Sequence, residues 1–159
     1  HVMQGYWRSP ELTQRVFRAG NSPGERLLFT GDLFRKDDEG FLYFIGRNDD
    51  MIKSKGERIS PREIENALCG LEGVAEAAVL GVPDEILGEA ILACVVLAPG
   101  AELTGPHMQK HCAENLQPFM VPKFIRIMDT LPRSPNGKVD KKELKRRERE
   151  KAEGARAAD

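Results

Sequence analysis

The chain has 159 residues, enough for one domain or for a small domain with part of another. Lys and Arg number 24 and Asp and Glu 25, so the net charge of −1 excludes a whole-chain electrostatic footprint for nucleic acid. A hydrophobic share of 40% is too high for general disorder. The longest apolar run, Ala90 to Ala98, falls far short of the ~20 residues a bilayer requires, so no membrane span is expected.

Taken in chain order, Ser9-Pro10-Glu11 is a helix start, with Ser as N-cap and Pro at the first helical position. This helix runs through Val16-Phe17 and stops at the breaker cluster Gly20 to Gly24. Leu27 to Thr30 is a short strand, and Leu33-Phe34-Arg35 with Phe41 to Ile45 forms a hairpin across a polar turn. Gly46-Arg47-Asn48-Asp49-Asp50 is a polar break and marks a domain boundary. Met51 to Ile59 is a tight second hairpin turning at Gly56. Ser60 and Glu63 have capping-box spacing, and the helix they open carries Ile64, Leu68 and Leu71 on one face. Strands follow at Val74 to Val82 and Ile91 to Leu97, the latter buried. A helix capped by Thr104 runs to Leu116, and a strand spans Lys123 to Met128. A loop then covers Leu131 to Lys138, and a basic helix from Asp140 fades near Ala152. Gly81 to Asp84 and Gly88-Glu89 read as turns joining the central strands. Strands alternating with helices from about residue 49 imply a small α/β (α+β) domain with a mixed sheet flanked by helices.

Three widely spaced cysteines, Cys69, Cys94 and Cys112, form no CxxC and fit a reducing cytosol, hence a cytoplasmic location. His107 and His111 stand at i, i+4 near Cys112 and Glu114, but no HExxH pattern accompanies them, and no metal site is expected. The first residues read as a chain entered partway through an element.

Four segments carry candidate chemistry: Thr30-Gly31-Asp32, Gly46 to Asp49, Lys53 to Arg58, and Pro135 to Val139. An ionised carboxylate only accepts hydrogen bonds, so Asp32 suits a pair of neighbouring hydroxyls. Gly31 allows close backbone approach. Arg47 offers a fixed fork of donors. Asn136-Gly137 can push the Lys138 ammonium out at a loop tip, a mobile point charge for phosphate or carboxylate oxygens. Each segment alone is an ordinary turn or solvated surface.

In this order the segments resemble the C-terminal part of the adenylate-forming superfamily: acyl-CoA synthetases, adenylation domains of peptide synthetases, and luciferases. The likeness covers residues 2 to 145 and rests on Leu28-Phe29-Thr30-Gly31-Asp32-Leu33, on Gly46-Arg47-Asn48-Asp49-Asp50 with Lys53-Ser54-Lys55-Gly56-Glu57-Arg58, and on Pro132-Arg133-Ser134-Pro135-Asn136-Gly137-Lys138. It implies four parts. Residues 1–46 are the trailing β-rich segment of a large N-terminal adenylation domain, 47–50 a hinge, 51–145 a C-terminal lid, and 146–159 a basic helix end and flexible tail.

The resemblance also implies a two-step reaction. A small carboxylic acid attacks Mg2+-ATP to give an acyl-adenylate, and a thiol from coenzyme A or a carrier-protein phosphopantetheine displaces AMP. Lys138 would be catalytic, bridging carboxylate and nucleotide. Asp32, Arg47, Lys53 and Arg58 would contact the nucleotide, Asp49 would be the hinge, and Lys55 and Gly56 would line the pantetheine path. The superfamily's phosphate loop, acyl pocket and most of its magnesium site are missing from this sequence. The chain is therefore expected to be a fragment, a remnant or half of a split enzyme, inactive alone. The hinge loop points to CoA and the Lys138 motif to a carrier protein, and a non-catalytic partner-binding fragment is the third reading.

Overall fold

The computed structural model describes residues 2–156, which divide between Asp49 and Asp50 into two compact units. The first unit opens with α1 (Pro10–Val16). Ser9 precedes it but makes no side-chain cap. The Thr13 hydroxyl secures the entry by donating to the Ser9 carbonyl at 3.0 Å and accepting from the Tyr6 N–H at 2.9 Å. The helix ends one residue earlier than its apolar pattern predicts. Phe17 opens β1 (Phe17–Ala19), which pairs antiparallel with β2 (Arg26–Leu28), Phe17 opposite Leu28. Strand pairing between β-forming residues wins over a last helical turn. Strands β3 (Asp32–Lys36) and β4 (Leu42–Arg47) make the expected hairpin, closed where the Asp37 carboxylate accepts the Phe41 N–H at 2.8 Å.

The second unit is a mixed sheet between helices. Its elements are β5 (Ile52–Ser54), β6 (Glu57–Ile59), α2 (Pro61–Cys69), β7 (Val74–Asp84), β8 (Gly88–Leu97), α3 (Gly105–Asn115), β9 (Phe124–Ile127) and α4 (Lys141–Arg156). Strand β8 pairs antiparallel with β7 along its length, with β5 at Ser54–Gly88, and parallel with β9. Ile91, Ala93 and Val95 enter a core with Ile64 and Leu68 of α2 and Met108 and Cys112 of α3. The alternate residues Leu92 and Cys94 join Leu131 and Leu144 of α4 on the other face. A strand buried on both faces reads as a continuous apolar run, which is why 90–98 has no period-two alternation.

Three local expectations change. Ser60 forms no side-chain cap on α2, so the capping box is not made. The segments 81–84 and 88–89 are strand rather than turn, and the reversal is confined to Glu85, Ile86 and Leu87. The long antiparallel ladder of β7 and β8 carries the extended backbone past its glycines. Helix α4 continues to Arg156, beyond the predicted fade near Ala152, supported by Glu143 accepting from both Arg146 and Arg147 at 2.8 Å. Residues 157–159 of the expected tail lie outside the described residues. The Thr104 cap forms, its hydroxyl accepting from the His107 N–H at 3.4 Å.

Burial pushes the Cys94 thiol up to about 11 and raises Cys112 and, at the end of α2, Cys69, but of the three only Cys69 is exposed. Reactivity requires an accessible thiolate. Titration of the native chain with a thiol reagent near pH 8 should therefore modify one cysteine per chain, Cys69, and all three in denaturant. Rapid loss of two or more native thiols would contradict this core.

Candidate functional site

Three loci carry the candidate side chains. In the first unit, Asp32 and Arg47 begin β3 and end β4 and stand opposite one another in the register. Arg47 Nη1 donates to Asp32 Oδ1 at 3.2 Å. Gly31, at φ +79, has no side chain where the guanidinium passes: a Cβ there would sit 3.5 Å from Arg47 Nη2. Both charged groups are solvent-accessible, so the pair holds geometry more than energy, ~0–1 kcal/mol for a surface ion pair. Asp49 lies in the short 3-10 turn Asn48–Asp50 that follows.

The second locus is the β5–β6 hairpin. Lys53 and Arg58 face each other, and Ser54 and Glu57 flank a two-residue turn. Its tip is Lys55 at φ +52 and Gly56 at φ +84, the paired left-handed conformation of a type I′ turn. No atom lies within 4 Å of where a Gly56 Cβ would stand. The Lys55 N–H donates to the Leu87 carbonyl at 3.1 Å, tying the tip to the reversal between β7 and β8. Asp84 in turn holds that reversal: its Oδ1 accepts from the Ile86 and Leu87 N–H groups at 3.1 and 3.0 Å, and its Oδ2 meets Lys123 Nζ at 2.5 Å. The Lys123 ammonium and the Leu87 N–H keep the Asp84 carboxyl below the usual carboxylate range.

The third locus is the loop before α4. The Ser134 N–H donates to the Lys138 carbonyl and the Gly137 N–H to the Ser134 carbonyl, both at 2.8 Å. Gly137 takes φ +77, which an ordinary side chain resists. Lys138 is exposed, and its ammonium makes no ion pair with any described residue. Its neighbours are paired. Arg133 donates to the Gly137 carbonyl at 2.9 Å and to both oxygens of Glu76 on β7 at 2.6 and 2.7 Å. Lys141, at the start of α4, meets Glu65 of α2 at 2.6 Å, and the same carboxylate accepts the Val79 N–H at 2.8 Å. The Lys138 loop is thus clamped on both sides.

The two loops of the second unit attach at opposite ends of the β7–β8 ribbon. Arg133 grips Glu76, which lies opposite Val96, and the hairpin meets β8 beside Gly88, which lies opposite Asp84. From Glu76 to Asp84 the strand advances eight residues, about 26 Å at ~3.3 Å per residue. The structure therefore brings together Asp32 with Arg47, and Lys53 and Arg58 with the Lys55–Gly56 tip, but carries Lys138 on a separate loop. Sequence reasoning missed Glu65, Glu76, Asp84 and Glu89 as supports, because each takes a partner 14 to 76 residues away, which nothing local marks. His111, weighed as half of a metal pair, instead has Nε2 at 3.0 Å from the Ala67 carbonyl.

Residues 63–138 match the family of AMP-binding enzyme C-terminal domains. An octahydroindenyl-propanoyl:CoA ligase of Rhodococcus jostii is 43% identical over 145 residues, 91% of this chain and 27% of the relative. The solved structure of ATP-bound MatB from Rhodopseudomonas palustris superposes with a TM-score of 0.79 at 35% identity, covering 90% of this chain and 27% of that one. The o-succinylbenzoate CoA synthetase MenE of Bacillus subtilis, solved with its acyl-adenylate intermediate, gives 0.81 at 33% identity, covering 91% and 28%. The chain spans about a quarter of the length of the curated relatives it matches.

The clamp on the Lys138 loop is testable by proteolysis. Arg133→Ala should speed trypsin cleavage after Lys138 several-fold, because loop opening exposes the bond, with little change in melting temperature, since an exposed pair is worth ~0–1 kcal/mol. Glu76→Ala should do the same, and the double variant should add little. Unchanged cleavage in both would dismiss the clamp.

Proposed function

We propose, from the match of residues 63–138 to the AMP-binding enzyme C-terminal domain family, that this chain is the C-terminal portion of an AMP-forming acyl-CoA ligase. The reaction joins a carboxylate to the α-phosphate of ATP, releasing pyrophosphate, and then transfers the acyl group from AMP to the sulfur of coenzyme A.

Each locus takes one task. Asp32 accepts hydrogen bonds from the ribose hydroxyls, held in place by Arg47, whose remaining donors reach ribose or phosphate. Lys138 approaches the junction of carboxylate and α-phosphate. There a positive charge steadies the negative charge shared by two anionic reactants, a preorganised electrostatic effect that requires no proton transfer. Lys53 and Arg58 lie towards the nucleotide from the hairpin. Lys55 and Gly56 border the path of the pantetheine thiol, where the side-chain-free Gly56 tip leaves room for a thin ligand. Asp49 is the hinge. Magnesium accompanies ATP as substrate.

One observation carries this reading. Lys138 and the Lys55–Gly56 tip stand on loops anchored about 26 Å apart along one ribbon. Anchors that far apart favour the two loops meeting one reacting centre in turn, as a lid that turns between the half-reactions would present them. The relatives named as CoA ligases favour coenzyme A over a carrier protein as acceptor.

In the enzyme that contains this chain, Lys138→Ala should lower adenylation by ~10²–10³-fold, the loss typical of one preorganised electrostatic group. Thioester formation from supplied acyl-adenylate should stay within about twofold of native, because uniform binding and folding are untouched. Gly56→Leu should do the reverse, with a melting curve read alongside to separate strain at φ +84 from a blocked path. Equal losses in both steps for either variant would refute the division of labour. The chain by itself should show no ATP–pyrophosphate exchange.

A further inference from the structure

Glu89, the second residue of β8, occupies a place that none of these roles uses. Its carboxylate makes two contacts: Oε2 accepts the backbone N–H of Lys53 at 2.9 Å, and Oε1 meets Lys145 Nζ of α4 at 3.3 Å. The Lys53 N–H needs such a partner. In a hairpin with a two-residue turn, the flanking pair Ser54–Glu57 is hydrogen-bonded and the next pair, Lys53–Arg58, is not, so the Lys53 N–H points away from β6. On that outer side the pairing of β5 with β8 extends only to Ser54–Gly88. An N–H left there without an acceptor would be costly, and the carboxylate supplies one.

A third feature shows that the arrangement is built for this side chain. Glu89 lies over Gly81 of β7, and a Cβ at Gly81 would stand 2.8 Å from the Glu89 Cδ and 2.9 Å from each oxygen. Gly81 does not adopt a left-handed backbone, so its missing side chain serves space, not conformation. The notch it leaves is filled by the Glu89 carboxylate.

We propose that Glu89 is a positioning residue that locks the Lys55–Gly56 hairpin to α4, so that the tip keeps a fixed place relative to the helix that follows Lys138. The idea rests on the reading of that tip as the thiol-facing element. Glu89 sits between the two functional loops. One oxygen holds the hairpin backbone two residues before Lys55, and the other holds a lysine seven residues after Lys138. A rigid link of this kind lets one rotation of the lid remove one loop and deliver the other.

Gly81→Ala provides a test that leaves Glu89 chemically intact. The new methyl displaces a flexible carboxylate, not backbone, so the fold should survive while the contacts break. In the chain itself, amide exchange of Lys53 should quicken about tenfold in Gly81→Ala and Glu89→Ala, the factor carried by one hydrogen bond. It should stay near native in Glu89→Gln, whose amide oxygen still accepts. In the enzyme that contains this chain, the first two variants should lower kcat/KM for coenzyme A by about tenfold, with adenylation nearly unchanged, and Glu89→Gln, whose amide nitrogen faces the Lys145 ammonium donor to donor, should lower it as well while leaving Lys53 exchange near native. Unchanged Lys53 exchange in Gly81→Ala and Glu89→Ala overturns the positioning role, whatever the enzyme does. Faster exchange with an unaltered CoA step overturns it too, provided Gly56→Leu still impairs that step. If Gly56→Leu is also silent, the thiol-facing reading of the hairpin is what fails, and the proposal falls with it.

Discussion

The second unit depends on the burial of one strand. Strand β8 has neighbours on both edges and apolar contacts on both faces, so six consecutive residues, Ala90 to Val95, are sealed from water. Apolar burial at roughly 25 cal/mol per Å² is the main force available to a domain of this size. Displacing β8 would open both core clusters together. The functional loops are attached to this strand or to its partner β7, never to the helices alone. The proposed lid, turning as a body, would need that rigidity, because a soft sheet would absorb the motion instead of passing it to the loop tips.

Charge organises what the core leaves free. Glu65, Glu76 and Glu89 each engage a cation from the 133–145 segment: Lys141, Arg133 and Lys145 respectively. Individually such half-exposed pairs add little stability. Their worth is in register. They fasten the segment to α2, β7 and β8 at three points, and Lys138 lies between the first two of them along the chain without an ion pair of its own among the described residues. A cation already neutralised by a neighbour would have to break that contact before meeting an anionic ligand. An unpaired one on a clamped loop does not.

Local chemistry made much of this legible in the sequence. Gly56 announces a tight hairpin, Ile64 and Leu68 announce the buried face of α2, and Thr104 announces the cap of α3. Two of the three candidate loci are short turns that carry a lysine and so catch the eye in the sequence, whereas Asp32 and Arg47 stand at paired strand ends. What failed to show was non-local. Gly81 and Gly88-Glu89 look like turn residues until β7 and β8 are seen to run through them as a ladder. Glu89 acquires meaning only when Lys53, 36 positions earlier, folds beside it. Ser60 has the spacing of a cap and does not act as one, because local spacing does not settle where a side chain at the buried head of α2 must turn.

The first unit obeys a different balance. Among its described residues only Gly46 is buried, while Trp7 is 86% exposed, Phe41 61% and Leu42 65%. It consists of one short helix and two separate two-stranded sheets. An isolated two-stranded ribbon is marginal in water, because it has no second layer against which to bury its apolar face. Guanidinium groups cover part of the exposed aromatic surface, Arg18 over Phe29 at 4.4 Å and Arg26 over Phe17 at 4.2 Å, but these contacts shield rings without making a core. Asp32 and Arg47 therefore sit on a scaffold whose apolar surface calls for more protein packed against it, whereas Lys138 and the Gly56 hairpin sit on one that encloses its own core. In the proposed enzyme that asymmetry suits the work: the nucleotide contacts belong to a frame completed by other chain, and the moving parts belong to the piece able to move as a solid body.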